Sequence, residues 1–318
     1  MKFIKLLITL MIVVVLLNAC QKQDSEVSAK KEQVEQEKVY HIALVMKTLT
    51  NPFFITMERG AREAEKDLGI KLTVKTGSQE TAITQQIDII RRLIEDKVDA
   101  IVIAPASSIE LVPVLAKAQQ AGIVIVNIDN ELDKATSLKY DLKNVPFISV
   151  NNEEGAYLSA KFITKDVTEK SKAIILEGIR TAQNGIDRKN GAIRAFKENK
   201  NIELIASETA NWKIDEGYEV FNQIWKKHKD LKLVFSANDM MALGVIQFLQ
   251  DNNIKDIKVA AFDNIEEIKP HLQSGALSVT IDQQADVQGY KGVETAYKLL
   301  RNEPIESVVV SVIVVTEQ

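Results

Sequence analysis

Carboxylates follow two of the short apolar segments of this sequence. Asp129, with Asn130 beside it, comes after Ile123–Ile128, and Asp263 lies at the end of Lys258–Phe262. Because ligands of open parallel sheets bind at the carboxyl ends of strands, these side chains are candidates for one cleft. Carboxylates that face a cleft from both sides accept hydrogen bonds from neighbouring hydroxyl groups, which suits a polyol. The same pair also fits a general acid and base acting on a glycoside.

Three amide side chains extend this polar set, and each has a structural alternative. Asn51 precedes Pro52, a pattern that is equally typical of a helix N-cap followed by proline at the first helical position. Asn238 and Gln283 each follow a predicted strand, where the alternatives are a helix cap and an ordinary loop. Asp239 precedes a predicted helix, and we interpret it as the cap of that helix.

Aromatic and cationic side chains accompany the polar residues. Phe53 and Phe54 are adjacent and cannot share one helix face, so at least one points away from the sheet, where its ring suits the apolar face of a sugar. Trp212 has no apolar neighbours in sequence, which favours stacking on a ligand over packing. Lys47 directly follows the first apolar segment. Arg188 lies in a charged run, for which a solvated surface is the alternative to a binding role.

Composition and motifs exclude several classes of function. The 318 residues include 40 Lys and Arg against 44 Asp and Glu, giving a net charge of −4, and the three histidines are scattered. No basic face for nucleic acid is therefore expected. The sequence contains neither glycine-rich nucleotide motif, no His-Glu-x-x-His and no Gly-x-Ser-x-Gly. We expect no metal, no cofactor and no enzymatic activity.

The N-terminus predicts export. Two lysines flank the start of the apolar run Leu6–Leu17, which is short for a membrane-spanning helix and ends just before Cys20, the only cysteine. The sequence Leu-Asn-Ala-Cys resembles a bacterial lipobox; the alternative is a plain secretory signal with an incidental cysteine. We expect residues 1–20 to be a lipoprotein signal peptide, 21–38 a flexible tether, and the mature protein to be held at the membrane by lipid on Cys20.

Short β-branched segments alternate with helical patterns beyond the tether. The predicted buried strands are His41–Met46, Lys71–Lys75, Ala100–Ala104, Ile123–Ile128, Lys172–Leu176, Ile202–Ala206, Lys232–Phe235 and Lys258–Phe262. Strands separated by helices pair in parallel through right-handed crossovers. We therefore expect an α/β fold of two doubly wound parallel-sheet lobes. The predicted N-terminal lobe comprises 39–151 plus 284–308, and the C-terminal lobe comprises 152–283 plus 309–318.

Several blocks of this chain match a known family pattern. They include Asn51–Phe54, Asn238–Gly244, Ala261–Asp263 and Thr280–Gln283. With them the chain, from about Tyr40 to its end, resembles the ribose-type periplasmic binding proteins, the sugar receptors of ABC transporters, and also the effector domains of LacI-type repressors. The resemblance implies a type I periplasmic binding fold whose lobes are joined by three hinge strands and close on a sugar.

The resemblance also implies roles for individual residues. Asn51 and Gln283 would bind sugar hydroxyls, with the ring between Phe53, Phe54 and Trp212 and a polar shell of Asp129, Arg188, Asn238 and Asp263. Two positions depart from the ribose-binding pattern: Lys47 replaces a small hydroxyl residue, and Asn130 replaces an arginine. Lys47 either neutralises Asp129 or meets an anionic or derivatised part of the ligand. We expect a pentose-like or substituted pentose ligand.

The leading hypothesis is an extracytoplasmic solute-binding lipoprotein. It would bind a monosaccharide between its lobes and deliver it, as a monomer, to an ABC transporter permease. A sugar receptor for chemosensing is an alternative. A repressor effector domain is disfavoured because no helix-turn-helix precedes the domain. A glycosidase that uses Asp129 and Asp263 is disfavoured because no other catalytic signature accompanies them.

Overall fold

The computed structural model describes residues 38–305 and 308–317. The predicted signal peptide, the lipidation site Cys20 and the predicted tether up to residue 37 lie outside the described residues. Within the described ranges, no helix is both long enough and apolar enough to cross a membrane.

The first lobe is built on a six-stranded parallel sheet covered by helices on both faces. Its strands are β1 (His41–Met46), β2 (Lys71–Thr76), β3 (Ala100–Ile103), β4 (Val124–Ile128), β5 (Phe147–Val150) and β11 (Val309–Val310). They pair in the order β11-β5-β4-β3-β1-β2. The helices are α1 (Pro52–Leu68), α2 (Ile83–Glu95), α3 (Val112–Gln120), α4 (Lys134–Lys139) and α10 (Ala285–Leu300). β3 is buried along its whole length, as a central strand covered on both faces should be.

The second lobe repeats this design on a smaller sheet. Its parallel strands are β6 (Ser171–Glu177), β7 (Ile202–Thr209), β8 (Leu231–Ser236) and β9 (Lys258–Ala260), in the order β7-β6-β8-β9. Its helices are α5 (Asn152–Thr164), α6 (Gln183–Lys197), α7 (Ile214–Lys227), α8 (Asp239–Asp251) and the short α9 (Lys269–Gln273). α5 and α6 cross closely at Gly191, where a Cβ would lie 2.1 Å from the carbonyl oxygen of Glu153.

The described chain passes between the lobes in three places. The first passage follows β5, and the second follows β10 (Thr280–Asp282), which bridges to the second lobe before α10 returns to the first. The third lies between β11, which pairs with β5, and β12 (Ile313–Val315), which pairs antiparallel with β10. β11 begins at Val309, just after the predicted boundary between residues 308 and 309, and it pairs with β5 of the first sheet.

The predicted fold class is confirmed: two doubly wound parallel-sheet lobes. One strand was not predicted: Phe147–Val150, just before the predicted boundary between residues 151 and 152, is β5, paired with β4 and β11. A four-residue segment interrupted by Ser149 carries too weak a periodic signal to separate a short strand from a linker. The eight predicted strands are all present, and no end is shifted by more than three residues.

Candidate functional site

A cavity lies between the two lobes, where the carboxyl ends of their strands face each other. About 240 Å³ of empty space, counting space open to solvent, lies between its side chains. The side chains that line it are Lys47, Asn51, Phe53, Phe54, Glu80, Asp129, Asn184, Arg188, Trp212, Asn238, Asp263 and Gln283.

Ten of the eleven ligand-binding residues predicted from the sequence line this cavity. The exception is Asn130, and the two lining residues that sequence analysis missed are Glu80 and Asn184. Both follow the carboxyl end of a strand, Glu80 after β2 and Asn184 after β6. The rule that ligands bind at the carboxyl ends of strands would have found both residues if it had been applied further along the chain after each strand.

Lys47 and Asp129 form a buried ion pair at the floor contributed by the first lobe. Nζ of Lys47 lies 2.8 Å from Oδ2 of Asp129, and the two side chains are 3% and 2% exposed. Asn184 of the second lobe donates from Nδ2 to the other carboxylate oxygen at 3.2 Å. The Lys47 ammonium therefore neutralises Asp129, the first of the two alternatives drawn from the sequence. Burial of a lone carboxylate would be costly without such a partner.

Arg188, on α6 of the second lobe, makes several hydrogen bonds on the opposite side of the cavity. It is 2% exposed, so the charged run around it is not a solvated surface at this position. Nη1 donates to the carbonyl oxygen of Ala237 at 2.9 Å and to Oδ1 of Asp263 at 3.2 Å, while Nη2 donates to Oε1 of Gln283 at 3.3 Å. Its guanidinium also lies 3.8 Å from the centre of the Phe262 ring. The planar fork of arginine is what allows one side chain to fix these partners.

Asp263 accepts hydrogen bonds while facing the cavity. Besides Arg188, Nε2 of Gln283 donates to Oδ1 of Asp263 at 2.6 Å. Burial raises the pKa of Asp263 to about 7, against the opposing attraction of Arg188. Asp129 and Glu80 raise this pKa further because they add negative charge to the same cavity. Burial, followed by the charge of Asp263, also raises the pKa of Asp239 well above its ordinary value.

We expect ligand affinity to fall as the pH drops below about 7. A ligand hydroxyl that donates to Asp263 competes with a proton for the same oxygen, so binding favours the ionised form. The loss should approach tenfold for each pH unit below the pKa of about 7.

Calorimetric titrations between pH 5 and pH 8 measure this dependence. Asp263→Asn is the matched control, because its residual binding should vary less with pH. An affinity for the parent protein that stays constant over this range would contradict the assignment of Asp263 as an ionised acceptor.

Asn51 combines a structural and a site role. Its Oδ1 accepts from the backbone N of Phe53 at 3.1 Å and so caps α1, with Pro52 at the first helical position. Its Nδ2 donates to Oε1 of Glu80 at 2.9 Å. Burial raises the pKa of Glu80, and the charge of Lys47 opposes this effect. Asn51 therefore has both roles that the sequence left as alternatives: it caps α1 and it lines the cavity.

Aromatic rings line the cavity from both lobes. The adjacent rings of Phe53 and Phe54 meet edge to face with their centres 5.0 Å apart, and both line the cavity at the start of α1. Trp212 of the second lobe is 4% exposed and lies against Gly178. A Cβ at Gly178 would come within 1.9 Å of the indole ring, so only glycine leaves room for this tryptophan.

Three cavity residues adopt left-handed backbone conformations. The φ angles are 63° at Asp129, 66° at Trp212 and 126° at Asp263. Non-glycine residues rarely occupy this region, and such strain persists where the surrounding structure holds the residue in a required orientation. At Asp129 the turn of the chain directs the carboxylate into the cavity.

Three buried polar atoms at the cavity have no hydrogen-bond partner within the described protein. They are Oδ2 of Asp129, which is close to Lys47 without the geometry of a hydrogen bond, Oδ1 of Asn184 and Nε1 of Trp212. Buried polar atoms are rarely left unpaired in native proteins. Two acceptors and one donor in one cavity are suited to a ligand rich in hydroxyl groups.

Two sequence-based assignments differ from the structure. Asn130 does not line the cavity: Nδ2 donates to the carbonyl oxygen of Pro105 at 3.1 Å, and Oδ1 accepts from the backbone N of Asn184 at 3.2 Å. Adjacent residues at a strand end point to opposite sides, and Asp129 takes the cavity side. The cap of α8 is Asn238, whose Oδ1 accepts from the backbone N of Met241, whereas Asp239 is the first helical residue.

Comparisons with known proteins place the chain among solute-binding proteins. A family model described as "Periplasmic binding protein domain" matches residues 42–304. The chain is 38% identical over 268 residues to a D-ribose/D-allose-binding protein of Pseudomonas aeruginosa, covering 83% of each chain. It is 30% identical over 266 residues to the ribose import binding protein RbsB of Escherichia coli, covering 84% of this chain and 86% of that one.

Solved structures show the same similarity. An ABC transporter periplasmic solute-binding protein of Actinobacillus succinogenes with bound D-allose is 34% identical with a TM-score of 0.82, covering 87% of this chain and 98% of that one. A solute-binding protein of Burkholderia multivorans is 36% identical with a TM-score of 0.83, covering 88% and 100%. In the described ranges, no group of three or more histidine, cysteine, aspartate and glutamate side chains is placed to hold a metal ion.

Proposed function

The chain belongs to the periplasmic binding protein family, and from this premise we propose that it captures one neutral monosaccharide between its lobes and delivers it to an ABC transporter. The family places the protein outside the cytoplasm. Its members bind and release a solute, so this protein is not an enzyme. The glycosidase and repressor alternatives are thereby set aside.

The composition of the cavity is the observation that carries the proposal. Carboxylates from both lobes, Asp129 and Asp263, are accompanied by amides that donate and accept hydrogen bonds. Phe54 and Trp212 supply flat apolar surfaces in the same space. A sugar offers hydroxyl groups along its edge and apolar C–H faces, and so matches both features. The unpaired atoms of the cavity are then satisfied by ligand hydroxyls.

The charge of the cavity selects a neutral sugar. Lys47 is paired with Asp129 and Arg188 with Asp263, so each cation already has a carboxylate partner. Glu80 is a third acidic group in the same space, and burial raises its pKa. A sugar acid or sugar phosphate would add negative charge without a free cation to meet it. The relatives named for D-ribose and D-allose bind neutral aldoses, which makes pentoses and hexoses of this kind the first candidates.

A thermal-shift screen of the purified protein tests the proposed function. The ligands are pentoses, hexoses, deoxy sugars, sugar acids and sugar phosphates. At about 100 times its dissociation constant, the true ligand should raise Tm by about 5 °C or more, because it binds only the folded state. We expect D-ribose or D-allose to act and sugar acids to have no effect. The proposal fails if no neutral monosaccharide raises Tm, or if the bound sugar is recovered chemically altered.

Closure of the lobes is the proposed signal for delivery. The three passages of the chain between the lobes are short, and such passages support a hinge motion in which ligand stabilises the closed form. The closed form would be what the transporter permease recognises. We propose that the protein acts as a monomer, because the side chains of a single chain suffice to form the cavity. Light scattering of the sugar-bound protein at the mass of one chain supports this, and a stable dimer would contradict it.

A lipid anchor on Cys20 is the proposed means of attachment to the membrane. Its support is the apolar run Leu6–Leu17 followed by Leu-Asn-Ala-Cys, which resembles a lipobox. Replacing Cys20 by alanine should abolish incorporation of labelled fatty acid and release most of the protein from the membrane fraction. Ser25→Ala, five residues further on, is the control and should behave like the parent. Equal membrane retention of Cys20→Ala and the parent would contradict lipidation at this residue.

A further inference from the structure

Helix α6 lacks an N-cap of its own. The residue before it is Ala182, whose side chain has no hydrogen-bond acceptor, and no side-chain cap is made from that position. The first backbone N–H groups of any helix have no partner within the helix and need acceptors elsewhere. Four other helices in the described part of the chain satisfy them locally, with Asn51 capping α1, Asp133 capping α4, Asn151 capping α5 and Asn238 capping α8.

The acceptors for α6 come from the other lobe. Oγ of Ser108, in the loop after β3, accepts from the backbone N of Gln183 at 3.1 Å. Oδ1 of Asn130, just after β4, accepts from the backbone N of Asn184 at 3.2 Å. The two acceptors are joined because Oγ of Ser108 also donates to Oδ1 of Asn130 at 3.3 Å. Backbone N of Ser108 donates in return to the carbonyl oxygen of Thr181 at 3.3 Å.

These contacts are buried and rigidly supported. Asn130 is 0% exposed and Ser108 is 5% exposed. Nδ2 of Asn130 is fixed by the carbonyl oxygen of Pro105, which orients Oδ1 toward the second lobe. The same first turn of α6 carries Asn184, whose side chain lines the cavity and donates to Asp129. The contact between the lobes is thus continuous with the cavity.

We propose that Ser108 and Asn130 are positioning residues that cap α6 across the cleft and thereby strengthen sugar binding without touching the sugar. This inference rests on the proposed function, in which the lobes separate when no sugar is bound. In the separated state the N–H groups of Gln183 and Asn184 lose these acceptors and face water. In the closed state they regain a cap, and Asn184 is held where it meets Asp129. Closure is therefore favoured by a contact between the two lobes in which the sugar takes no part.

Alanine substitutions of the two acceptors test the proposal. Loss of a helix cap is expected to weaken sugar binding about fivefold to tenfold for either Ser108→Ala or Asn130→Ala, mainly through faster dissociation. The double variant should bind sugar more weakly than either single variant. Its loss of affinity should be smaller than the product of the two single losses, because the two acceptors are bonded to each other. The melting temperature of the unliganded Ser108→Ala protein should stay unchanged, since the open state lacks these caps. Asn130→Ala should lower it, because this variant also removes the buried bond from Nδ2 of Asn130 to the carbonyl oxygen of Pro105 within the first lobe.

Ser107→Ala is the matched control. Oγ of Ser107 accepts from the backbone N of Ile109 and Glu110 within its own loop, so it caps in the same lobe. This variant should lower the melting temperature of the unliganded protein and leave sugar affinity nearly unchanged. Calorimetry with the sugar identified by the screen, and stopped-flow dissociation rates, provide the readouts.

Hydrogen exchange separates failure of this inference from failure of the proposed function. Sugar should slow amide exchange at Gln183 and Asn184 in the parent. Ser108→Ala should remove the protection at Gln183, and Asn130→Ala the protection at Asn184. Parent-like affinity and exchange in both variants would overturn the capping role while the proposed function stands. If the parent binds no sugar, the proposed function fails. The capping role, which needs closure of the lobes on the sugar, then fails with it.

Discussion

Replacing Asp263 by asparagine is expected to weaken sugar binding by between about thirtyfold and a few thousandfold. The substitution keeps the size of the side chain and removes the charge that faces Arg188 across 3.2 Å. Loss of one partner of a buried, hydrogen-bonded charge pair costs about 2 to 5 kcal/mol, and each 1.4 kcal/mol is a factor of ten in affinity. Asparagine keeps Oδ1, which now accepts from Arg188 and, at 2.6 Å, from Nε2 of Gln283, but its Nδ2 cannot accept from a ligand hydroxyl as the second carboxylate oxygen can.

Calorimetric titration with the best sugar from the screen measures the effect, and circular dichroism establishes that the variant is folded. Asp88→Asn is the matched control, because Asp88 is an exposed carboxylate that pairs with Arg91 far from the cavity. Its affinity should equal that of the parent. An affinity of Asp263→Asn within about twofold of the parent would show that Asp263 does not contact the sugar.

Replacing Arg188 by lysine is expected to weaken sugar binding by a comparable factor and also to lower Tm. A lysine ammonium keeps the charge but cannot reproduce the fork that bonds Ala237, Asp263 and Gln283 together. It also loses the stacking of the guanidinium on Phe262 at 3.8 Å. The Asp263 carboxylate and the Gln283 amide would then be free to turn, so the ligand would meet a disordered set of partners.

The control for this variant is Arg180→Lys. Arg180 is 55% exposed, and its partner Glu177, which is buried, is also bonded by Lys189 and Ser207. The control should leave both the affinity and Tm close to those of the parent. If Arg188→Lys binds sugar as tightly as Arg180→Lys does, the guanidinium is not the organising group of the cavity.

Much of the fold followed from the sequence because its strands are short, β-branched and buried on both faces. Such segments separated by one-faced helices leave few topologies other than parallel, doubly wound sheets. The exact places where the chain passes between lobes did not follow. β5 and β11 are only four and two residues long, and their assignment to the first sheet depends on pairing partners distant in sequence.

The residues around the cavity were predictable to the extent that they directly follow a strand. Glu80 lies further along the loop after β2, and Asn184 lies in the first turn of α6, so only the folded chain brings them to the cavity. Arg188 is one of several charged residues on α6, and sequence alone does not tell which face of that helix is buried against the other lobe. The residues Asp129 and Asn130 illustrate the same limit, because the left-handed backbone at Asp129 decides which of the two faces the cavity.

A crystal structure of the protein with the sugar selected by the screen tests the central claim most directly. Our account predicts one monosaccharide in the cavity, with hydroxyl groups within hydrogen-bond distance of Asp129 and Asp263 and a ring face against Trp212. A sugar bound at any other place on the molecule, with this cavity left unchanged, would contradict it.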